Sequence, residues 1–154
     1  NEISEARADL VRQVVKAGTQ VLVGDGREVE LPVKAILADV PCTGLGALRR
    51  RPEVRWRRST DDLRALTKLQ YELAEHAISV LPSGGIFGYA TCSPHMAETR
   101  AQAATFEKKL PVDKIDVSPF LPSNLEGGVA NGYMQLWPHR HETDAMFLAL
   151  YRKR

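Results

Sequence analysis

Residues 35–44 read AILADVPCTG, and the reading of this stretch decides the fold. Ala35–Val40 is a nearly continuous apolar run, suited to a strand buried on both faces, and Pro41 ends it. The stretch at 86–94, IFGYATCSP, repeats the plan: an apolar run, a cysteine just past its end, then a turn. Between the two, Ser59 or Thr60, followed by Asp61 and Asp62, opens the longest helical segment. Its inward face is Leu63, Leu66, Leu73, Ala77 and Ile78, and it stops before Pro82-Ser83-Gly84-Gly85. Strand, helix and strand in this order, with apolar strands, predict an α/β domain with a parallel sheet.

Working outward, Ser4 is placed to cap a helix whose apolar face is Ala8, Val11, Val14 and Val15, stopped by Gly18. Residues 19–23 form a short β-rich run ending in the turn Gly24-Asp25-Gly26. A helix is expected from about 97 to 110 and a strand at 115–117. The β-rich runs 132–137 and 145–151, joined by PHRHETD, are expected to pair antiparallel. In open α/β sheets the ligand crevice lies at the carboxyl ends of the strands. Asp25, Asp39, Cys42 and Cys92 all fall there.

The 154 residues are 44% hydrophobic and 26% charged, enough for one domain with a core, and the net charge of +2 directs nothing by itself. The chain starts without methionine and enters a helix almost at once, so a piece of a longer protein is expected. Two cysteines are too few for a disulfide framework, and no Cys/His spacing suggests a metal. A reducing, cytoplasmic setting is the expectation. No apolar run reaches membrane-spanning length, and no signal peptide is recognisable.

A free core cysteine is usually an inert small hydrophobe. Here each thiol leaves a strand into a turn, where nearby arginines or a helix N-terminus would lower its pKa and make it a nucleophile. From the pattern alone both readings stay open. Asp25 also reads as a simple turn former. Asp39 ends an apolar run, where an unpaired carboxylate is costly, so a hydrogen-bond partner is expected. Six of the ten residues from Arg49 to Arg58 are arginine, set around Trp56. Against a merely solvated loop, Arg49, Arg50, Arg51, Arg55 and Trp56 offer phosphate contacts and a stacking face for RNA. His139, Arg140 and His141 are a further polar cluster that needs no function.

Taken together these stretches resemble the RNA 5-methylcytosine methyltransferases, closest to the bacterial 16S ribosomal RNA type. DVPCTGLGALRRRPEVRW is similar to one of the family's two cysteine motifs, and LPSGGIFGYATCS to the other with its lead-in. GDGR resembles the acidic motif one strand earlier, and LWPHRHETDAMFLA the C-terminal hairpin. The resemblance implies a Rossmann-like class I methyltransferase sheet, mostly parallel with a C-terminal antiparallel hairpin. It makes residues 1–154 part of an S-adenosylmethionine-dependent domain. The first strand, the glycine-rich cofactor loop and an RNA-binding domain are expected before Asn1.

It further implies that Cys92 attacks C6 of a cytosine in RNA so that C5 can take a methyl group from S-adenosylmethionine. Cys42 would assist proton removal from C5 and release of the enzyme. Glu2 would bind the ribose hydroxyls of the cofactor, Asp25 its adenine, and Asp39 the cofactor and the cytosine edge. The target base must be splayed into the pocket, and the two sulfurs are expected to face one cavity with the ring between them. The sequence departs from the family pattern at Glu98-Thr99, where Glu-Asn is usual, and at Asp144-Ala145, where Asp-Gly is usual. Two rivals remain: a cytosine methyltransferase attacking through Cys42, and a non-catalytic RNA-binding domain. A thiol redox protein is disfavoured, since no C-x-x-C is present.

Overall fold

The computed structural model describes residues 1–122, 125 and 127–154. Ten helices and strands of regular structure are described, in the order α1 (Glu5–Val14), β1 (Ala35–Asp39), α2 (Thr60–Val80), β2 (Ile86–Thr91) and α3 (Arg100–Lys109). Then come β3 (Val112–Ile115), β4 (Val129–Ala130), β5 (Tyr133–Gln135), α4 (Pro138–His141) and β6 (Phe147–Lys153). β1 and β2 pair in parallel, Ala35 beside Ile86 through Asp39 beside Ala90. β6 runs antiparallel to β2 on one side and to β5 and β3 on the other, and β4 pairs antiparallel with β5. β1, β2, β3 and β5 therefore point one way, and β4 and β6 the other. The sheet is mixed, with the antiparallel C-terminal pair that the sequence predicts.

Ser59 begins α2 with a capping box: Asp62 N–H donates to Ser59 Oγ (3.2 Å) and Ser59 N–H donates to Asp62 Oδ2 (2.8 Å). Two of the amides orphaned at the helix start are thereby satisfied. The core lies between α2, α3 and one face of the sheet. Phe87, Tyr89, Phe106, Phe147 and Tyr151 are all fully buried. Phe106 of α3 meets the edges of three of these rings, with Tyr89 closest at 5.1 Å between centroids and 76° between planes. Such edge-to-face pairs add about 0.5–1.5 kcal/mol each beyond the area they bury.

Several expectations change. β1 is not buried on both faces: Ile36 and Ala38 pack on the core, whereas Leu37 is 70% exposed. It is the outer strand of the described sheet, with no strand beyond it. Of the apolar face expected on α1, Ala8 is buried, but Val14 is 82% exposed because nothing described here packs over it. Ser4 occupies the N-cap position without a side-chain cap; its N–H donates instead to Glu2 Oε1 (2.9 Å). Residues 19–23 contribute a single parallel bridge, Glu2 with Val23. The strand expected at 115–117 is β3, three residues earlier. The connection PHRHETD contains the short helix α4, which starts at Pro138.

Candidate active site

β1 and β2 are parallel neighbours, so the segments that follow them leave the sheet at the same end. Val40 N–H continues the ladder by donating to Ala90 O (3.0 Å). Pro41 ends it, and the chain then turns through Gly44 at φ +73°, in the left-handed region that favours glycine. Gly46 ties three segments together. Its N–H donates to Cys92 O (2.9 Å), and its carbonyl accepts from Ala145 N–H (3.0 Å) at the entry to β6. A Cβ here would meet Cys92 O at 2.6 Å and Ala145 O closer still. Only glycine fits.

This folding brings Cys42 and Cys92, fifty positions apart, to an Sγ–Sγ distance of 3.3 Å, both half-buried. One S–H donates to the other sulfur. The Cys92 thiol, donating to Cys42, is the main cause that lowers Cys42 to about 6. The same bond, with burial, pushes Cys92 up. At neutral pH the pair thus shares one proton and one negative charge. The sequence pointed to arginines or a helix N-terminus for this effect; the second thiol exerts it instead. At 3.3 Å the sulfurs touch, so no ring fits between them, and a base would have to lie across the pair.

Behind the thiols lies a polar cluster that sequence reasoning did not pick out. Glu98 is fully buried and accepts four hydrogen bonds. Thr43 N–H (2.8 Å) and Gln70 Nε2 (3.0 Å) reach Oε1, while the hydroxyls of Thr43 (2.5 Å) and Ser93 (2.6 Å) reach Oε2. Gln70 also donates to Pro41 O (2.9 Å), and Tyr89 OH donates to Glu98 O (2.7 Å). The available signal was a glutamine on the inward face of α2, beside Leu66, Leu73 and Ala77.

The acids predicted to hold a cofactor lie at neighbouring chain ends. Glu2 N–H donates to Leu22 O (3.0 Å) and Gly24 N–H to Glu2 O (3.1 Å), which ties Glu2 to the segment of Asp25; Asp25, with Asn1, Val23 and Gly24, lines a shallow depression. Both acids are engaged by protein groups. Ser4 N–H and Arg7 hold Glu2 below the usual carboxylate range, and the Arg27 guanidinium holds Asp25 at about 2. Asp39, for which a partner was expected, is exposed at the end of β1 and needs none, since solvent replaces the hydrogen bond a buried carboxylate requires.

The arginine segment divides. Arg50 is clamped in two places on Asp144 (Nη2–Oδ2 2.5 Å, Nε–Oδ2 3.0 Å), with Arg49 3.9 Å from the same carboxylate. Arg51 leans on Glu53 (3.4 Å), and Arg58 Nε donates to Thr43 O (3.0 Å). Arg55 lies 5.5 Å from the centroid of Trp56, a ring 83% exposed. Arg55 and Trp56 form an open stacking face, whereas Arg58 braces the Cys42 loop and Arg50 ties its own segment to Asp144, just before β6. Among the described residues, no group of three His, Cys, Asp or Glu is placed to hold a metal ion, and no helix is long and apolar enough to cross a membrane.

A family model described as 16S rRNA methyltransferase RsmB/F matches residues 1–152. The chain is 48% identical to Rv1407 of Mycobacterium tuberculosis over 99% of its own length and 34% of that protein. It is 32% identical to the ribosomal RNA small subunit methyltransferase B of Yersinia enterocolitica, covering 99% of the chain and 36% of the relative. Among solved structures, PH0851 superposes with a TM-score of 0.86 at 32% identity, over 98% of this chain and 35% of that one. NSun6 from Pyrococcus horikoshii with SFG superposes with a TM-score of 0.77 at 25% identity, over 98% and 40%. The chain thus spans about a third of the length of its relatives.

Proposed function

The chain belongs to the 16S rRNA methyltransferase RsmB/F family, and from that premise we propose that it carries the two thiols of an RNA cytosine-5 methyltransferase. The chain is read as the part of an S-adenosylmethionine-dependent methyltransferase domain that bears both cysteine motifs, with 16S ribosomal RNA as substrate of the whole protein. The observation that carries this is the 3.3 Å contact of Cys42 with Cys92 at the carboxyl ends of two parallel strands. An inert packing role does not require two thiols to share a proton at the mouth of a sheet.

A cytosine splayed from its stack lies across the sulfur pair, its displaced strand held on Arg55 and Trp56. Passing the shared proton from Cys92 to Cys42 leaves the negative charge on Cys92. The Cys92 thiolate bonds to C6, and the C5=C6 electron pair moves onto C5, which becomes nucleophilic. S-adenosylmethionine, when bound, supplies the methyl group that C5 acquires. Cys42 first releases to solvent the proton it took from Cys92; as a thiolate it then takes the C5 proton, which restores the double bond and expels Cys92 as a thiolate. Glu2 and Asp25 are the carboxylates offered to the hydroxyl and amine donors of a nucleoside: Asp25 lines a shallow depression, and the Glu2 backbone is bridged to Val23 on its edge. Asp39, open to solvent, completes the acceptor set. The SFG bound to NSun6, an analogue of S-adenosylmethionine, agrees with this choice of cofactor.

Full-length protein incubated with S-adenosylmethionine and 5-fluorocytosine RNA is expected to give a covalent complex that survives denaturation. Cys92→Ser should abolish both complex and methyl transfer, whereas Cys42→Ser should retain an adduct even on ordinary RNA. The lowered pKa of Cys42 favours a second reading in which Cys42 attacks. Adducts on Cys92→Ser but not on Cys42→Ser would establish it. No adduct in any form would leave an RNA-binding module.

A further inference from the structure

Glu98 has no place in the chemistry above, yet it is a fully buried carboxylate with no ion-pair partner among the described residues. Burying such a group is costly even when it is well hydrogen-bonded, and an apolar or amide side chain of similar size costs less. Its donors explain its presence. Thr43 directly follows Cys42 and Ser93 directly follows Cys92, and both hydroxyls converge on the same oxygen, Oε2, at 2.5 and 2.6 Å. Gln70, donating to Oε1, also holds Pro41, the residue before Cys42. The carboxylate is therefore bonded to the neighbour of each thiol, and only an acceptor at both oxygens satisfies all four donors.

We propose that Glu98 is a positioning residue: its buried carboxylate staples the Cys42 loop to the Cys92 loop and fixes the separation at which both sulfurs reach one ring. The ring is the cytosine of the function proposed above, so this inference rests on that reading. A loosened staple displaces one sulfur relative to the other without removing a group that touches substrate. Misplacement of about 1 Å costs on the order of 100-fold in rate. An amide at position 98 presents a single acceptor oxygen and turns an NH₂ toward the remaining donors.

The test uses the full-length protein and two measurements. In the first, Glu98→Gln is expected to lower kcat for methyl transfer by about 10- to 100-fold, with KM for RNA unchanged within about twofold. In the second, diamide, an oxidant that takes up the two thiol hydrogens, joins Cys42 to Cys92 as a disulfide, scored by mass spectrometry of the linked peptides. Crosslinking needs no substrate and reads the sulfur geometry alone; it should slow severalfold in Glu98→Gln. If that variant fails to melt like the wild type, Ser93→Ala, which removes one donor, is expected to shift both measurements the same way by a smaller factor. Normal kcat and normal crosslinking in a folded variant would overturn the proposal. A wild-type protein that neither methylates nor forms an adduct would defeat the methyltransferase reading, while crosslinking would still decide the staple.

Discussion

At the scale of single residues, the site depends on close approach more than on side-chain chemistry. Gly46 → Ala forces a methyl group against Cys92 O and Ala145 O. Neither backbone oxygen can yield without moving a cysteine loop or the start of β6, so a loss of about 1–3 kcal/mol is expected. Thermal or denaturant unfolding measures it, and adduct formation should fall in parallel. The thiols make a second prediction. Cys42 is lowered to about 6, so its thiolate is fully formed above pH 7 and lost as pH falls through about 6. Ultraviolet thiolate absorbance should show one ionisation near there and none in Cys42→Ser. A curve rising only in the ordinary thiol range, about 8.5, would contradict the shared-proton arrangement. The cysteines and Asp25 were legible as candidates because turn residues and strand ends mark them, whereas Glu2 entered only through the family resemblance. Glu98 was not legible, because a glutamate in the first turn of an expected helix looks solvated until the fold closes over it. Asp39 misled for the opposite reason: five apolar neighbours suggested burial, but β1 exposes the face that carries Leu37 and Asp39.

At the scale of elements, α2 begins where Ser59 and its capping box put it, and Ser59→Ala is expected to cost about 1 kcal/mol. α3 is held chiefly by Phe106, inserted among three core rings; Phe106→Ala should cost about 3–5 kcal/mol, read from chemical denaturation. The short turn Pro52–Trp56 presents the proposed RNA platform. Trp56→Ala is expected to weaken single-stranded RNA binding by about 1–3 kcal/mol without changing its salt dependence. Arg55→Ala should lower the slope of log affinity against log salt by about 0.7. Arg50→Ala, by contrast, should act through stability, since that side chain is clamped on Asp144. The arginine count was visible in the sequence, but its division into bracing and exposed members was not. The acceptors Asp144 and Thr43 O arrive from distant segments. α4 was likewise hidden within a polar connection, where Pro138 was its only local mark.

At the scale of the whole molecule, the sheet is organised around β2 and β6. The six-residue ladder from Ile86–Arg152 to Thr91–Phe147 lies at its centre, with β5 and β3 on the far edge of β6. Amides of β2 and β6 are expected to exchange with solvent only through global unfolding, and those of α1, with Ala8 as its one buried side chain, much sooner. Equal rates in the two regions would contradict this division. The α/β class was readable because apolar runs and amphipathic helices alternate. The balance of parallel and antiparallel ladders was not, because it depends on where β6 inserts rather than on its own composition.

β6 also follows every one of its sheet partners in the chain. During synthesis β2, β3 and β5 leave the ribosome before the strand that joins them. Until residues 147–153 emerge, the nascent polypeptide presents β2 with an unfilled edge, open to chaperones and to mispairing.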